Sequence, residues 1–287
     1  MLSLRRRSSC RLFDAGSILV MSIWVLVTLT ILGVGISRIT ATQIRLAKRL
    51  EERLLSQFLA QAAVMHARVE RKHDETPYDT FHELRTTRRQ ELGRGAFEYT
   101  LVDEESRINI NTVPQEVLAR LPSIGVDGAV AITTTTLRPF HLTEELLLLD
   151  AITPQMWQDS KDLMTVYGYG RVNLNTAPPA VLSALGLDDR LVAIIREYRE
   201  GLDAEEGTAD DGIFETTGEI LAELRAYTGL FEQQEAALLG LISQGLLDVT
   251  STPMSLQVTT ELFGKPLARY TIVLDGPEAE VKRWEEL

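Results

Sequence analysis

The side chains best equipped for chemistry in this chain are carboxylates. Asp103-Glu104-Glu105 form one cluster, and Asp203, Glu205, Glu206, Asp210 and Asp211 form another in a glycine-containing loop. Hard oxygen ligands gathered in such a loop suit Ca²⁺, which makes Asp203, Glu206, Asp210 and Asp211 the candidate ligands. The spacing is not that of an EF-hand, and an exposed acidic loop is the competing explanation. No catalytic constellation accompanies these groups. His66, His73, His82 and His141 are scattered, without metal-ligand spacing and without a nucleophile beside them. His66 and His73 are seven apart on a helix and are expected on a shared, solvated face. The only cysteine, Cys10, excludes an intramolecular disulfide. The chain reads as a non-enzyme.

Charge is segregated along the chain. Residues 1–102 carry +6, residues 103–219 carry −13 and residues 220–287 carry −5, which gives the net −12. So acidic a middle repels phosphate backbones and favours cations or basic partners.

The elements that must carry these groups begin with a membrane segment. Behind Arg5, Arg6, Arg7 and Arg11, the stretch Ala15–Ser37 holds no charge and suits the thickness of a bilayer. It is longer than the apolar core of a signal peptide and lacks a clear cleavage box. The helical pattern then continues: Leu46, Leu50, Leu54, Phe58 and Ala62 recur every fourth residue, with Leu55 and Leu59 beside them. Arg45, Lys48, Arg49, Glu51, Glu52 and Arg53 supply the polar face. No proline occurs before Pro77, so one helix of about 55 residues is expected. The leading arginines favour a cytoplasmic N-terminus; Arg38, Arg45, Lys48 and Arg49 follow the span but belong to the amphipathic helix.

The middle of the chain is a duplicated unit. Arg107-Ile-Asn-Ile-Asn-Thr-Val-Pro…Leu121 aligns without gaps on Arg171-Val-Asn-Leu-Asn-Thr-Ala-Pro…Leu185, with eight of fifteen positions identical. A Phe and a Glu-aliphatic run trail each copy, at Phe140 and Phe214. Thr112 and Thr176 are placed to cap the following helix, Pro114 and Pro178 to sit in its first turn, and Gln115 to complete a capping box. The first copy continues Leu121-Pro-Ser-Ile-Gly-Val-Asp127, like a helix-hairpin-helix, the unit that holds phosphate on backbone N–H groups. Ser123 and Asp127 stand where glycine and a basic residue would help, and the region is acidic, so a packing role is favoured over nucleic acid. Strands are expected at Ala96–Val102, Leu256–Phe263 and Leu267–Leu274, the last two joined by Gly264-Lys265-Pro266. If they share a sheet, the helical middle is an insertion.

A leader ending in Gly16, an uninterrupted apolar helix, a small sheet and the duplicated Asn-x-Asn-Thr-x-Pro insertion together resemble type IV pilin-like proteins. Among these, residues 14–275 look like the K-type minor pseudopilins of the bacterial type II (general) secretion pathway, most specifically at Asn173-Leu-Asn-Thr-Ala-Pro-Pro179. The resemblance implies an α+β fold. A long transmembrane and amphipathic helix packs on a small antiparallel sheet, with a large all-α insertion of two helix-hairpin-helix or SAM-like units. It divides the chain into a leader (1–16), a transmembrane helix (17–37), an amphipathic helix with the first strand (38–102), the insertion (103–248, repeats near 107–150 and 171–225) and closing strands (249–287). It implies cleavage by a prepilin peptidase between Gly16 and Ser17, although the family's usual first mature residue is large and apolar. Met21 stands at mature position five, where most pilin-like chains have Glu and K-type chains do not. The implied role is structural, at the tip of a periplasmic pseudopilus. The companions are minor pseudopilins I and J, with the major subunit below and the inner membrane as anchor. Met21, Leu46, Leu50, Leu54 and Phe58 would face partner helices or the protomer's own sheet, and calcium would bind in the helical domain. The rival reading is a membrane-anchored DNA-binding protein; nucleic acid is not expected on charge grounds.

Overall fold

The computed structural model describes residues 12–287, with side chains from Ser17 onward. Arg5, Arg6, Arg7, Cys10 and Arg11 of the leader lie outside the described residues. The first element, α1, runs Leu12–His73. By its contacts the chain falls into two units, one ending at Leu55 and the other comprising Ser56–Leu287. In the first, the apolar run is bare of protein: Ile18 and Trp24 are each 66% exposed. This helix is long and apolar enough to cross a membrane.

In the second unit, α1 leads through α2 (Phe81–Arg85) into β1 (Arg88–Leu92) and β2 (Gly95–Asp103). The helical middle follows: β3 (Ile108–Asn109), α3 (Gln115–Arg120), α4 (Gly125–Thr134), α5 (Pro154–Ser160), β4 (Met164–Thr165), β5 (Val172–Asn173), α6 (Pro179–Ala184), α7 (Asp189–Arg199), α8 (Ile220–Tyr227), α9 (Glu232–Ser243) and β6 (Leu247–Asp248). The chain then returns as β7 (Met254–Leu262), β8 (Lys265–Asp275) and β9 (Glu280–Glu286). The sheet is antiparallel in the order β1-β2-β7-β8-β9, so the three expected strands do share it and the helical middle is spliced between β2 and β7. The hairpin turn is tighter than expected. Phe263 and Gly264, both at positive φ, form it alone, and Lys265 and Pro266 already belong to β8. Two edge strands, β1 and β9, complete the sheet.

Alternation builds the sheet's core face. Phe97, Tyr99 and Leu101 of β2, Leu256 and Val258 of β7, and Tyr270 and Ile272 of β8 are buried with Leu59, Ala60, Ala63, Val64 and Ala67 of α1. Alanine at three of those helix positions lets the backbones approach closely. Opposite them Gly95 has no room for a side chain: a Cβ there would lie 2.7 Å from Leu59 Cδ1 and 3.0 Å from the Glu261 carbonyl oxygen. Ser56 pins the helix by hydrogen bonds to Thr260 Oγ1 at 2.6 Å and Tyr270 Oη at 2.9 Å, all three groups buried. A second, separate core belongs to the helical middle and runs from Ile108 to Val249.

The insertion is not all helix. Each copy of the repeat opens with a two-residue parallel ladder, β3 on β4 and β5 on β6. The capping expectation also fails. Pro114 and Pro178 are themselves the N-cap residues of α3 and α6, with no side-chain cap. Thr112 Oγ1 turns back to the Asn109 carbonyl, and Thr176 Oγ1 donates to Asp103. The asparagines explain why. Asn109 and Asn173 each accept from the amide two residues on, at 2.9 and 3.0 Å, which bends the chain before the proline. Asn111 then clasps the Phe140 backbone, donating to its carbonyl at 2.9 Å and accepting from its amide at 2.8 Å. Asn175 clasps Phe214 in the same way, at 3.0 and 2.9 Å. The duplicated Asn and the trailing Phe are two halves of one device.

Candidate assembly surface

The helix face that meets the sheet is not the one the four-residue spacing marks. A strict i,i+4 row advances about 40° per step around a helix of 3.6 residues per turn, so it drifts off any one face within four steps. Leu46, Leu50, Leu54 and Phe58 are all exposed, Phe58 at 62%. Leu59, Ala60, Ala63 and Ala67 take the sheet contact instead. Phe58 thus belongs to a second apolar row with Met65 and Val69, both exposed, and Ala62, half-buried. At 100° per residue, Phe58, Met65 and Val69 lie within about 40° of one another and roughly opposite the sheet-facing row. The four-residue spacing does not lead to Met65 and Val69 because the row's spacing changes from four to seven. In the first unit Met21 is 70% exposed, and the backbone of Gly16 and Ser17 is helical within α1.

His66 does not lie on a solvated face. Its ring is half-buried against Phe97 and Tyr99, with Nδ1 2.7 Å from Tyr99 Oη. Tyr99 donates onward to Glu70 at 2.7 Å, and Arg88 Nε closes the chain on Glu70 at 2.7 Å. Burial, then the bond to Glu70, pushes the Tyr99 phenol well above its usual range. His73 is separate, bonded to the Val69 carbonyl.

Asp103-Glu104-Glu105 is also not a surface cluster. All three are buried, 3–4% exposed, where β2 enters the helical middle. Asp103 accepts from the Glu105 amide at 2.7 Å, Asn173 Nδ2 at 2.8 Å and Thr176 Oγ1 at 2.5 Å. Glu104 binds Arg107 at 3.1 Å, Thr165 Oγ1 at 2.8 Å and the Ser255 hydroxyl. Glu105 takes the amides of Tyr169 at 3.0 Å and Thr252 at 3.1 Å. Asp79 joins from beside α2, accepting from the Ser251 amide at 2.7 Å and from Arg71 at 3.2 Å. These carboxylates tie both repeats to the sheet. Burial pushes Asp103 up to about 6 against hydrogen bonds that oppose it, and raises Asp79 and Glu105 too.

The loop after α7 spends its carboxylates on itself. Asp210 accepts from the Leu202 amide at 2.9 Å and Thr208 Oγ1 at 2.8 Å, and the Thr208 bond leads in lowering its pKa. Asp211 accepts from the Gly207 amide at 2.7 Å, and Asp203 from the Glu205 amide at 2.9 Å. Glu206 pairs at 2.6 Å with Arg199, which is buried and donates to the Leu174 and Ala177 carbonyls. Among the described residues no three His, Cys, Asp or Glu side chains are grouped to hold a metal ion. The turn between α3 and α4 is flanked by carboxylates. Ser123 donates to Asp159 at 2.8 Å, and Asp127 lies in the first turn of α4.

No family model and no curated protein sequence matches the chain. Among solved structures it is similar to a chain of the GspK-GspI-GspJ complex from the enterotoxigenic Escherichia coli type 2 secretion system. That likeness has a TM-score of 0.59 at 15% identity and covers 86% of this chain and 99% of that one. The long N-terminal helix, the antiparallel sheet and the helices spliced into it make an α+β chain whose fold is similar, over most of its length, to that of a subunit in that secretion complex.

Proposed function

We propose that this chain is a non-enzymatic minor pseudopilin of K type. It would be cut between Gly16 and Ser17, anchored in the inner membrane by one span and displayed in the periplasm at a pseudopilus tip with I and J companions. The observation that carries the reading is a fold likeness that covers 86% of this chain and 99% of the other. The second apolar row supports it independently. Phe58, Met65 and Val69 face away from the sheet, exposed and uncovered by any element among the described residues, which suits burial against a partner helix.

The test uses the full-length chain, co-expressed with its companions and purified in detergent. The wild type is expected to carry both companions and to begin at Ser17 by mass. Phe58→Asp with Met65→Asp should cut companion recovery about tenfold while shifting stability by no more than about 0.5 kcal/mol, since both side chains are exposed. Companion recovery unchanged by the double variant would overturn the proposed interface, and loss of stability would reassign the row to folding. Retention of Met1 would remove the processing step.

Calcium in the loop after α7 is a separate proposal. Binding there requires Asp203 and Asp210 to turn from backbone amides to the ion. It would show as a melting temperature that climbs with calcium concentration and does not climb with Asp210→Asn. An unchanged melting temperature in millimolar calcium would end it.

A further inference from the structure

The last turns of α1 line a cleft of about 540 Å³ whose opposite wall is the turn at Gly276–Ala279. Arg68, Arg71 and Lys72 line it from the helix together with Thr252, and Glu278 is the one acid in the lining. Two of the three cations are engaged. Arg71 binds Asp79 and the Ser251 carbonyl, and Arg68 donates through Nε to the Ala279 carbonyl at 2.9 Å. Glu280, near Arg68, is paired with Lys282 at 2.7 Å. Lys72 is exposed and has no hydrogen bond or ion pair among the described residues. The two guanidiniums are therefore held by bonds of their own, and the Lys72 ammonium lines the cleft without a partner among the described residues.

Lys72 also continues the outward apolar row. Met65, Val69 and Lys72 are spaced i, i+4, i+7 and fall within about 60° of one another on the helix. A helix laid on Phe58, Met65 and Val69 and running along α1 would bring its own next turn to Lys72. In a chain of net charge −12, this is a local concentration of positive charge at the end of an apolar track. Complementarity there selects a carboxylate.

We propose that this cleft is the socket for an acidic side chain of a companion subunit, the charged terminus of the helix–helix contact; the inference rests on the pseudopilin reading. The socket would set register. The apolar row alone lets a partner helix slide by a turn, whereas one desolvated ammonium–carboxylate pair fixes a single position.

Zero-length carbodiimide cross-linking on membranes from cells making the full chain and its companions tests this, with peptide mass spectrometry as readout. The reagent joins an amine to a carboxylate already in contact. The expected product is an amide between Lys72 and an Asp or Glu of a companion. It should be absent in Lys72→Arg, which keeps companion recovery, while Lys72→Glu lowers that recovery about tenfold. Lys161 and Lys265 report that the reagent reached the protein. Companions that co-purify without any Lys72 adduct would overturn the socket and leave the pseudopilin reading standing. An adduct to Glu278, or to a protein other than a companion, would overturn it as well. Absence of companions from the purified wild type would overturn the reading itself, and the socket would lose its occupant with it.

Discussion

The stability of the full chain is expected to fall by about 3 kcal/mol between pH 4 and pH 6 through Asp103 alone, and Asp103→Asn should abolish that fall. The carboxyl is buried at the junction of β2 with the helical middle, and its pKa stands at about 6, raised from 3.8 chiefly by burial. In the unfolded chain it titrates near 4. Between those values the folded state holds a proton that the unfolded state has released. Stability therefore drops with rising pH at about 1.4 kcal/mol per unit and levels off above the folded pKa. The contribution is present in full below about pH 4 and gone above about pH 6. Asp79 and Glu105, also raised by burial, act in the same sense. Asp188, Glu235 and Glu280 are lowered, by a backbone amide, by Arg225 and by Lys282 respectively, and act oppositely. The quantity to measure is thus the difference between wild type and Asp103→Asn in denaturant midpoint across pH 4 to 7. A pH-independent difference would show that folding leaves the Asp103 pKa unshifted and that its three donors balance its burial.

The acidic junction shows where sequence ceases to report environment. Asp103-Glu104-Glu105 reads only as a carboxylate cluster, and three adjacent carboxylates are rarely buried. Their donors come from places remote in sequence: Thr165, Asn173, Thr176, Thr252 and Ser255. The sheet's three inner strands were legible because each alternates apolar and polar residues under a helix. β1 and β9 were not: Arg88-Arg-Gln-Glu-Leu92 and Glu280-Val-Lys-Arg-Trp-Glu-Glu286 are edge strands dressed in charge, which blunts edge pairing and erases the alternation. The long helix was legible in extent but not in facing. Leucine spacing marked its most apolar row, while the sheet took the alanines, whose small size suits close packing. Of the exposed row proposed as the assembly surface, the leucine spacing leads to Phe58 and not to Met65, Val69 or Lys72.

The repeat was plain in the sequence and its mechanism was not, and Asn175→Ala is the substitution that exposes the mechanism. Asn175 is 5% exposed and satisfies both backbone groups of Phe214, itself fully buried. Alanine would leave a buried amide and a buried carbonyl without partners and sever the tie from the second repeat to the segment before α8. A loss of about 3 kcal/mol is expected, from two orphaned groups at roughly 1–3 kcal/mol each, read as a lower denaturant midpoint of the full chain. Asn175→Asp separates the two bonds. It keeps an acceptor for the Phe214 amide but opposes the carbonyl with a second oxygen, so it should cost at least as much at pH 7 and less in acid, where a protonated carboxyl can donate again. Asn111 makes the same clasp on Phe140 but is only half-buried, so water can replace the lost partner and Asn111→Ala should cost about 1 kcal/mol. Equal losses at the two positions would mean that burial does not set the strength of the clasp. A neutral Asn175→Ala would mean that the duplicated asparagines are relics of the repeat, with the Ile108–Val249 core holding the domain by packing alone.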